Sequence, residues 1–136
     1  MVDKEPHSVS INPPSILLTT DEANQLSSLA NSGRRLFPRV AHFLESELDR
    51  GDVEPDDADL PDVVKMGSHV RYRDNRTGQV RGLVLVYPHE ADVEGRRISV
   101  LTLVGAALIG MSAGQTMEFK MPDEQTRLVT VLAATN

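Results

Sequence analysis

Close to residue 63 the hydrophobic period of the chain changes, a boundary that divides what it can fold into. Before it, apolar residues recur at helical spacing; beyond it they alternate or run on continuously, as in strands. Ala23, Leu26, Leu29 and Ala30 form one helical stripe, and Leu36, Val40, Phe43, Leu44 and Leu48 form a second. Thr19 stands before the first stripe with Glu22 three residues on, the spacing of a capping box. Asn31-Ser32-Gly33 ends that helix. Pro38 fits only the first turn of the second helix, which sets its start near Phe37 and its end near Asp49, before Gly51. The spacing predicts a short antiparallel helical hairpin, about 20 Å long.

Charge marks the boundary between the two periods. The net charge of -6 is concentrated in residues 51–62, which hold six acids and no base, whereas 63–136 hold seven acids and nine bases. Six like charges with Pro55 and Pro61 among them read as a solvated linker. The carboxylates lack the glycine and terminal glutamate spacing of a calcium loop. Residues 1–14, with Pro13 and Pro14, read as a flexible arm. The expected organisation is arm 1–14, helical hairpin 15–50, acidic linker 51–62 and sheet domain 63–136.

Past the linker the spacing predicts strands at Val63–Met66, His69–Asp74, Val80–Tyr87, Ile98–Leu103, Thr116–Met121 and Arg127–Ala134. Leu83 to Val86 is apolar on both faces, which suits a buried central strand. Val104–Ile109 is short, alanine-rich and bounded by Gly105 and Gly110, which suits a two-turn helix. The expected fold class is α+β: the helical hairpin, then an antiparallel sheet packed on one small helix.

The composition excludes several functions. There is no cysteine, hence no disulfide, thiolate metal site or cysteine nucleophile. No apolar run approaches the ~20 residues that span a bilayer. Met1–Ser10 carries Asp3, Lys4 and Glu5 without an apolar core, unlike a signal peptide. The cytoplasm is the expected location. A pI near 5.1 and only five aromatic residues speak against direct nucleic-acid binding. Gly110-Met-Ser-Ala-Gly114 has the spelling of a nucleophile elbow, but in a helix-to-strand order that would not expose the serine. Gly105 to Ser112 nearly spells a phosphate-binding loop, with Met111 where the lysine is needed. His42 and Glu45 stand at i, i+3, yet two ligands do not make a metal site. No catalytic residue, cofactor or metal is expected.

One stretch resembles a known family. Ile98-Ser-Val-Leu-Thr-Leu-Val-Gly-Ala-Ala-Leu-Ile-Gly110, continuing through Gly114, is similar to the C-terminal domain of the Gre transcript-cleavage factors. Leu44-Glu-Ser-Glu-Leu-Asp-Arg50, Leu60-Pro-Asp-Val-Val-Lys-Met66 and Leu85-Val-Tyr-Pro88 resemble the Rnk-type branch, the regulators of nucleoside diphosphate kinase. Together the similarity covers residues 15–134. It implies an FKBP-like fold for 63–136 and docking on RNA polymerase at the rim of the secondary channel, in competition with Gre factors. Contact with DNA or RNA would be at most indirect and no membrane is involved; the oligomeric state is not set by the sequence, with a monomer favoured.

The resemblance also nominates residues. The Gre docking patch carries Asp-Ser-Pro at the end of a strand, where this chain has Leu101, Thr102 and Leu103, followed by Val104. With the acid and the proline absent, contacts there would be more apolar. Gln115 replaces the usual aspartate of the following turn. Gre chemistry also needs acids at the coiled-coil tip to hold magnesium through oxygen. The tip here is Asn31, Ser32, Gly33, Arg34 and Arg35, with Glu45, Glu47 and Asp49 expected at the far end of the second helix. The implied function is a regulator of elongation that does not stimulate cleavage. The alternatives are an FKBP-like prolyl isomerase and a module binding a small effector on its sheet.

Overall fold

The computed structural model describes residues 13–136, so all but the end of the expected arm lies outside the described residues. The chain runs β1 (Leu17–Thr19), α1 (Thr20–Gly33), α2 (Pro38–Arg50), β2 (Asp52–Glu54), β3 (His69–Asp74), β4 (Val80–Val86), β5 (Arg97–Ser99), α3 (Leu103–Leu108), β6 (Thr116–Lys120) and β7 (Thr126–Thr135). This is an α+β fold. Its main sheet has five strands in the order β5-β4-β3-β7-β6.

Thr19 caps α1, its hydroxyl accepting the Glu22 N–H at 3.2 Å. The other half of the expected capping box is not made. Glu22 turns away and accepts the Met66 N–H at 2.9 Å, which ties α1 to the segment entering the sheet. Pro38 opens α2 with Phe37 at its N-cap. Leu36 therefore precedes the helix and leaves the apolar stripe; it is 80% exposed. At the other end, Arg50 pairs with Glu47 and donates to the Pro14 carbonyl at 2.5 Å.

Residues 51–62 are more than a connector. Asp52–Glu54 form β2, which pairs in parallel with β1. The Asp56 carboxylate then accepts the Asp21 N–H at 2.8 Å, at the start of α1. A negative charge there is favoured, because the first N–H groups of a helix have no internal partner. Leu60 is buried as well.

The sheet departs from the expected pattern in three places. Its pairings are antiparallel except β4 with β5, which run parallel. The loop after β4, with a 3₁₀ turn at Pro88–Glu90, carries the chain back so that β5 enters in the same direction as β4. Val63–Met66 is not a strand: Val63 bridges Ser112 alone, and Val64 donates to Met111 O while accepting from Gly110 N. The strand expected over Ile98–Leu103 stops at Ser99, because Thr102 turns the chain. Its hydroxyl donates to Ser99 O at 2.8 Å and accepts the Gly105 N–H at 3.1 Å, capping α3.

One apolar core joins both halves. It includes Ile16, Leu18, Leu26, Ala30 and Leu44 together with Val70, Leu85, Val100, Leu108, Met117 and Val131. Two glycines make the junction possible. A Cβ on Gly105 would sit 2.3 Å from Ser99 O, and one on Gly110, at φ 77°, would sit 2.9 Å from Ile16 Cβ. The Gly110 carbonyl also accepts the Leu17 N–H at 2.9 Å. The glycines that spell a phosphate loop are thus close-approach positions of the fold.

Candidate functional site

The two nominated groups of residues, strand end and tip, meet in space. Leu101 is buried, and its side chain lies against Gly33, where a Cβ would stand 3.1 Å from Leu101 Cδ1. Leu101 is therefore the joint between tip and sheet rather than part of an outer surface. Thr102, Leu103 and Val104 are half-buried at the start of α3. They line a groove of about 470 Å³ whose other walls are Val40 of α2, Tyr72, Phe119, Met121, Pro122, Arg81 and Arg127. A second depression, of about 520 Å³, lies towards α2 and includes Arg39, His42, Phe43, Glu118 and Lys120. Leu103 and Phe119 belong to both, so Leu103 separates two adjoining hollows.

The lining of the first groove includes two arginines, Arg81 and the ion-paired Arg127. Arg127 donates to Asp74 Oδ2 at 2.5 Å, and the Arg76 N–H donates to Asp74 Oδ1 at 3.0 Å. Burial alone would raise the Asp74 pKa; these bonds and the Arg127 charge outweigh it and hold the carboxyl below the usual aspartate range. A separate set of bonds, from Asn75 to Thr130 and between Thr130 and Thr116, links β7 to β6 on the other face of the sheet. Tyr72 is pushed up by burial, partly offset by the charges of Arg81 and Arg96, so its hydroxyl stays protonated at neutral pH. The groove offers apolar walls and fixed positive charge. It has no nucleophile–base pair.

The tip differs from its sequence reading. Arg34 pairs with Glu45 of α2, so Glu45 is not remote: the long arginine side chain reaches back along the neighbouring helix. Ser32 is held by its own helix, donating to Ser28 O at 2.9 Å. Arg35, Leu36 and Phe37 are exposed, which makes the tip cationic and apolar. His42 is exposed on α2 and lines the second hollow, while its i+3 neighbour Glu45 is taken by Arg34. Among the described residues, no three His, Asp or Glu side chains converge as a metal would require. No helix among them is long and apolar enough to cross a membrane.

Residues 58–136, which contain the groove's sheet walls and α3, match the C-terminal domain of the transcription elongation factors GreA and GreB. The chain belongs to the GreA/GreB family. It is 31% identical over 109 residues to the regulator of nucleoside diphosphate kinase of Escherichia coli K12, covering 80% of each chain. It is 39% identical over 84 residues to GreA of Syntrophobacter fumaroxidans, spanning 62% of this chain and 53% of that one. Among solved structures, a GreA/GreB elongation factor from Nitrosomonas europaea superposes with a TM-score of 0.69 at 33% identity, over 90% of this chain and 99% of that chain. This GreA/GreB-family chain is a regulator of the elongation-factor type. Of the groove, spacing pointed to none of Val40, Tyr72, Arg81, Met121 or Pro122. They converge only when α2 crosses α3 and β6 pairs with β7.

Proposed function

We propose that the protein is a non-enzymatic regulator of transcription elongation that docks on RNA polymerase at the rim of the secondary channel through the groove beside Leu103. It competes there with Gre factors and does not stimulate transcript cleavage. In this reading 63–136 is an FKBP-like unit, and α1 with α2 is a short counterpart of the Gre helical hairpin. The observation that carries the reading is Leu103, half-buried between two hollows in the segment most like the family's docking strand.

The absence of cleavage has two supports. A second magnesium needs anionic oxygen, and the tip presents Arg35, Leu36 and Phe37 while Arg34 occupies Glu45. At 1.5 Å per residue, α1 is about 20 Å long, which limits reach before charge matters. Leu103→Asp places a charge where an apolar contact forms. Capture of polymerase by the full-length chain should weaken by about 1–3 kcal/mol, with folding intact. Excess Gre factor should displace the native protein, and RNA in a stalled elongation complex should not shorten. Unchanged capture removes Leu103 from the interface, and RNA shortening overturns the non-enzymatic reading.

The prolyl isomerase alternative has one observation in its favour. Tyr72 and Phe119 line the same apolar groove that a twisted amide would need. Acceleration of isomerisation in a proline peptide, lost in Tyr72→Ala, would favour it.

A further inference from the structure

The sheet face turned away from the groove carries a second, basic site. β3 alternates strictly, burying Val70, Tyr72 and Asp74 and exposing His69, Arg71 and Arg73 on the opposite side. Paired residues of an antiparallel ladder share a face. Arg71 stands opposite Gly82 of β4 and Ala133 of β7, and His69 opposite Val84 and Thr135. Small neighbours and the bare glycine leave a hollow of about 470 Å³. Packing does not demand a glycine here: a Cβ at Gly82 would meet only the Val70 carbonyl, at 3.7 Å. What the glycine does is leave the floor open.

A second guanidinium is brought to that floor by a strained residue. Arg96 lies at φ 57°, in the left-handed region that non-glycine residues avoid, and its Nε donates to the Gly82 carbonyl at 2.6 Å. Arg71 and Arg96 thus flank Gly82, with His69 and Arg73 along the same strand. Among the described residues no acid forms an ion pair with Arg71, Arg73 or Arg96. Two acids stand in the rim loop, Asp92, which lies against Gly95, and the exposed Glu94, and neither lines the hollow. In a chain of net charge -6, this face gathers cations that no carboxylate among the described residues neutralises.

We propose that this hollow binds a small phosphate-bearing anion, its oxygens taken by the guanidinium forks of Arg71 and Arg96 over Gly82. Guanidinium geometry matches phosphate oxygens in pairs, and His69 adds a third donor. The volume suits a small ligand. No Phe, Tyr or Trp lines it, so it lacks the run of large aromatic rings on which a single strand stacks its bases. The site is independent of the polymerase reading, because it lies on the other face of β3 and β4.

The test is titration of the full-length protein with inorganic pyrophosphate, followed by calorimetry and by amide NMR shifts. Saturable binding should appear, with shifts centred on Gly82, Arg96 and Ala133. Arg71→Gln and Arg96→Gln should each weaken it about tenfold, while Arg76→Gln, in the β3–β4 turn, should leave it unchanged. If Arg96→Gln fails to fold, Arg71→Gln decides. The proposal is overturned by the lack of saturable binding, by shifts centred elsewhere, or by affinity unchanged in Arg71→Gln. Binding of a single-stranded RNA to this face, with pyrophosphate inert, would overturn it equally.

Discussion

The helix pair and the five-stranded sheet are held by different interactions. The sheet is fixed by its ladders, by a β7 bulge between the partners of Arg71 and Tyr72, and by the Asp74–Arg127 network inside it. The helix pair has no such internal lattice. It is placed by Leu26 and Leu44 in the shared core, by close approach of Gly33 to Leu101, and by polar ties at its edge. Those ties include Glu22 with the Met66 N–H, Gln25 with the Tyr87 hydroxyl at 2.5 Å, and Arg39 with Glu124 at 3.4 Å. The two regions therefore tolerate change differently. A strand cannot slip without turning every side chain to the wrong face, whereas a helix resting on small residues moves by repacking a few contacts. Val40 forms one wall of the groove, so the position of α2 sets the shape of the candidate docking site.

Truncating the shared core should have the largest effect on both regions. Leu44 is fully buried between the helix pair and the sheet. Leu44→Ala should cost about 3 kcal/mol in urea unfolding, the transfer loss plus the cavity left behind. Because the core is one cluster, amides of Leu85 and Val131 should exchange faster by the same factor as those of α1. Sheet amides that keep full protection while the helices lose theirs would show two separable units.

A smaller effect belongs to the sheet alone. Asp74→Asn keeps the acceptor for the Arg76 N–H but removes the charge that Arg127 faces. It should cost about 2–3 kcal/mol, since the guanidinium stays half-buried beside a neutral group. Combining it with Arg127→Met in a double-mutant cycle should show most of that cost as coupling. Near-additive effects would mean that the pair contributes nothing beyond its separate parts.

The legible parts of the sequence are those fixed by local rules. Thr19 and Pro38 set the helix starts, and alternation set β3, β6 and β7. Pairings fixed at long range were not legible. β5 runs parallel to β4 because of the path of its loop, and β2 exists because Asp52–Glu54 lie beside β1, which a run of acids conceals. The candidate site divides the same way. Thr102, Leu103 and Val104 came from family likeness in one stretch, but Leu101 is sealed by a glycine 68 residues earlier in the chain. Glu45 likewise looked distant from the tip until side-chain length was set against a short helix.

The gentlest test separates the two regions by pH, because half-buried Glu22 and buried Asp74 shift in opposite directions. Asp74 is held below the ordinary aspartate range, so it stabilises the fold above that range, and the contribution is lost as pH falls through its folded value. Glu22 is raised, chiefly by burial and against the opposing Met66 N–H bond and Lys65 charge. Its folded form binds a proton more readily than its unfolded form, so stability falls as pH rises from the ordinary glutamate value through the raised one, then levels. Wild-type stability should therefore climb, peak and decline slightly across the acidic range. Glu22→Gln keeps an oxygen acceptor for Met66 and should change neutral-pH stability by less than about 1 kcal/mol. Its signature is loss of the declining limb, with the climbing limb intact; Asp74→Asn should do the reverse. A declining limb that persists in Glu22→Gln would place the titrating group elsewhere and remove the polar tie as a pH-sensitive element of the helix–sheet junction.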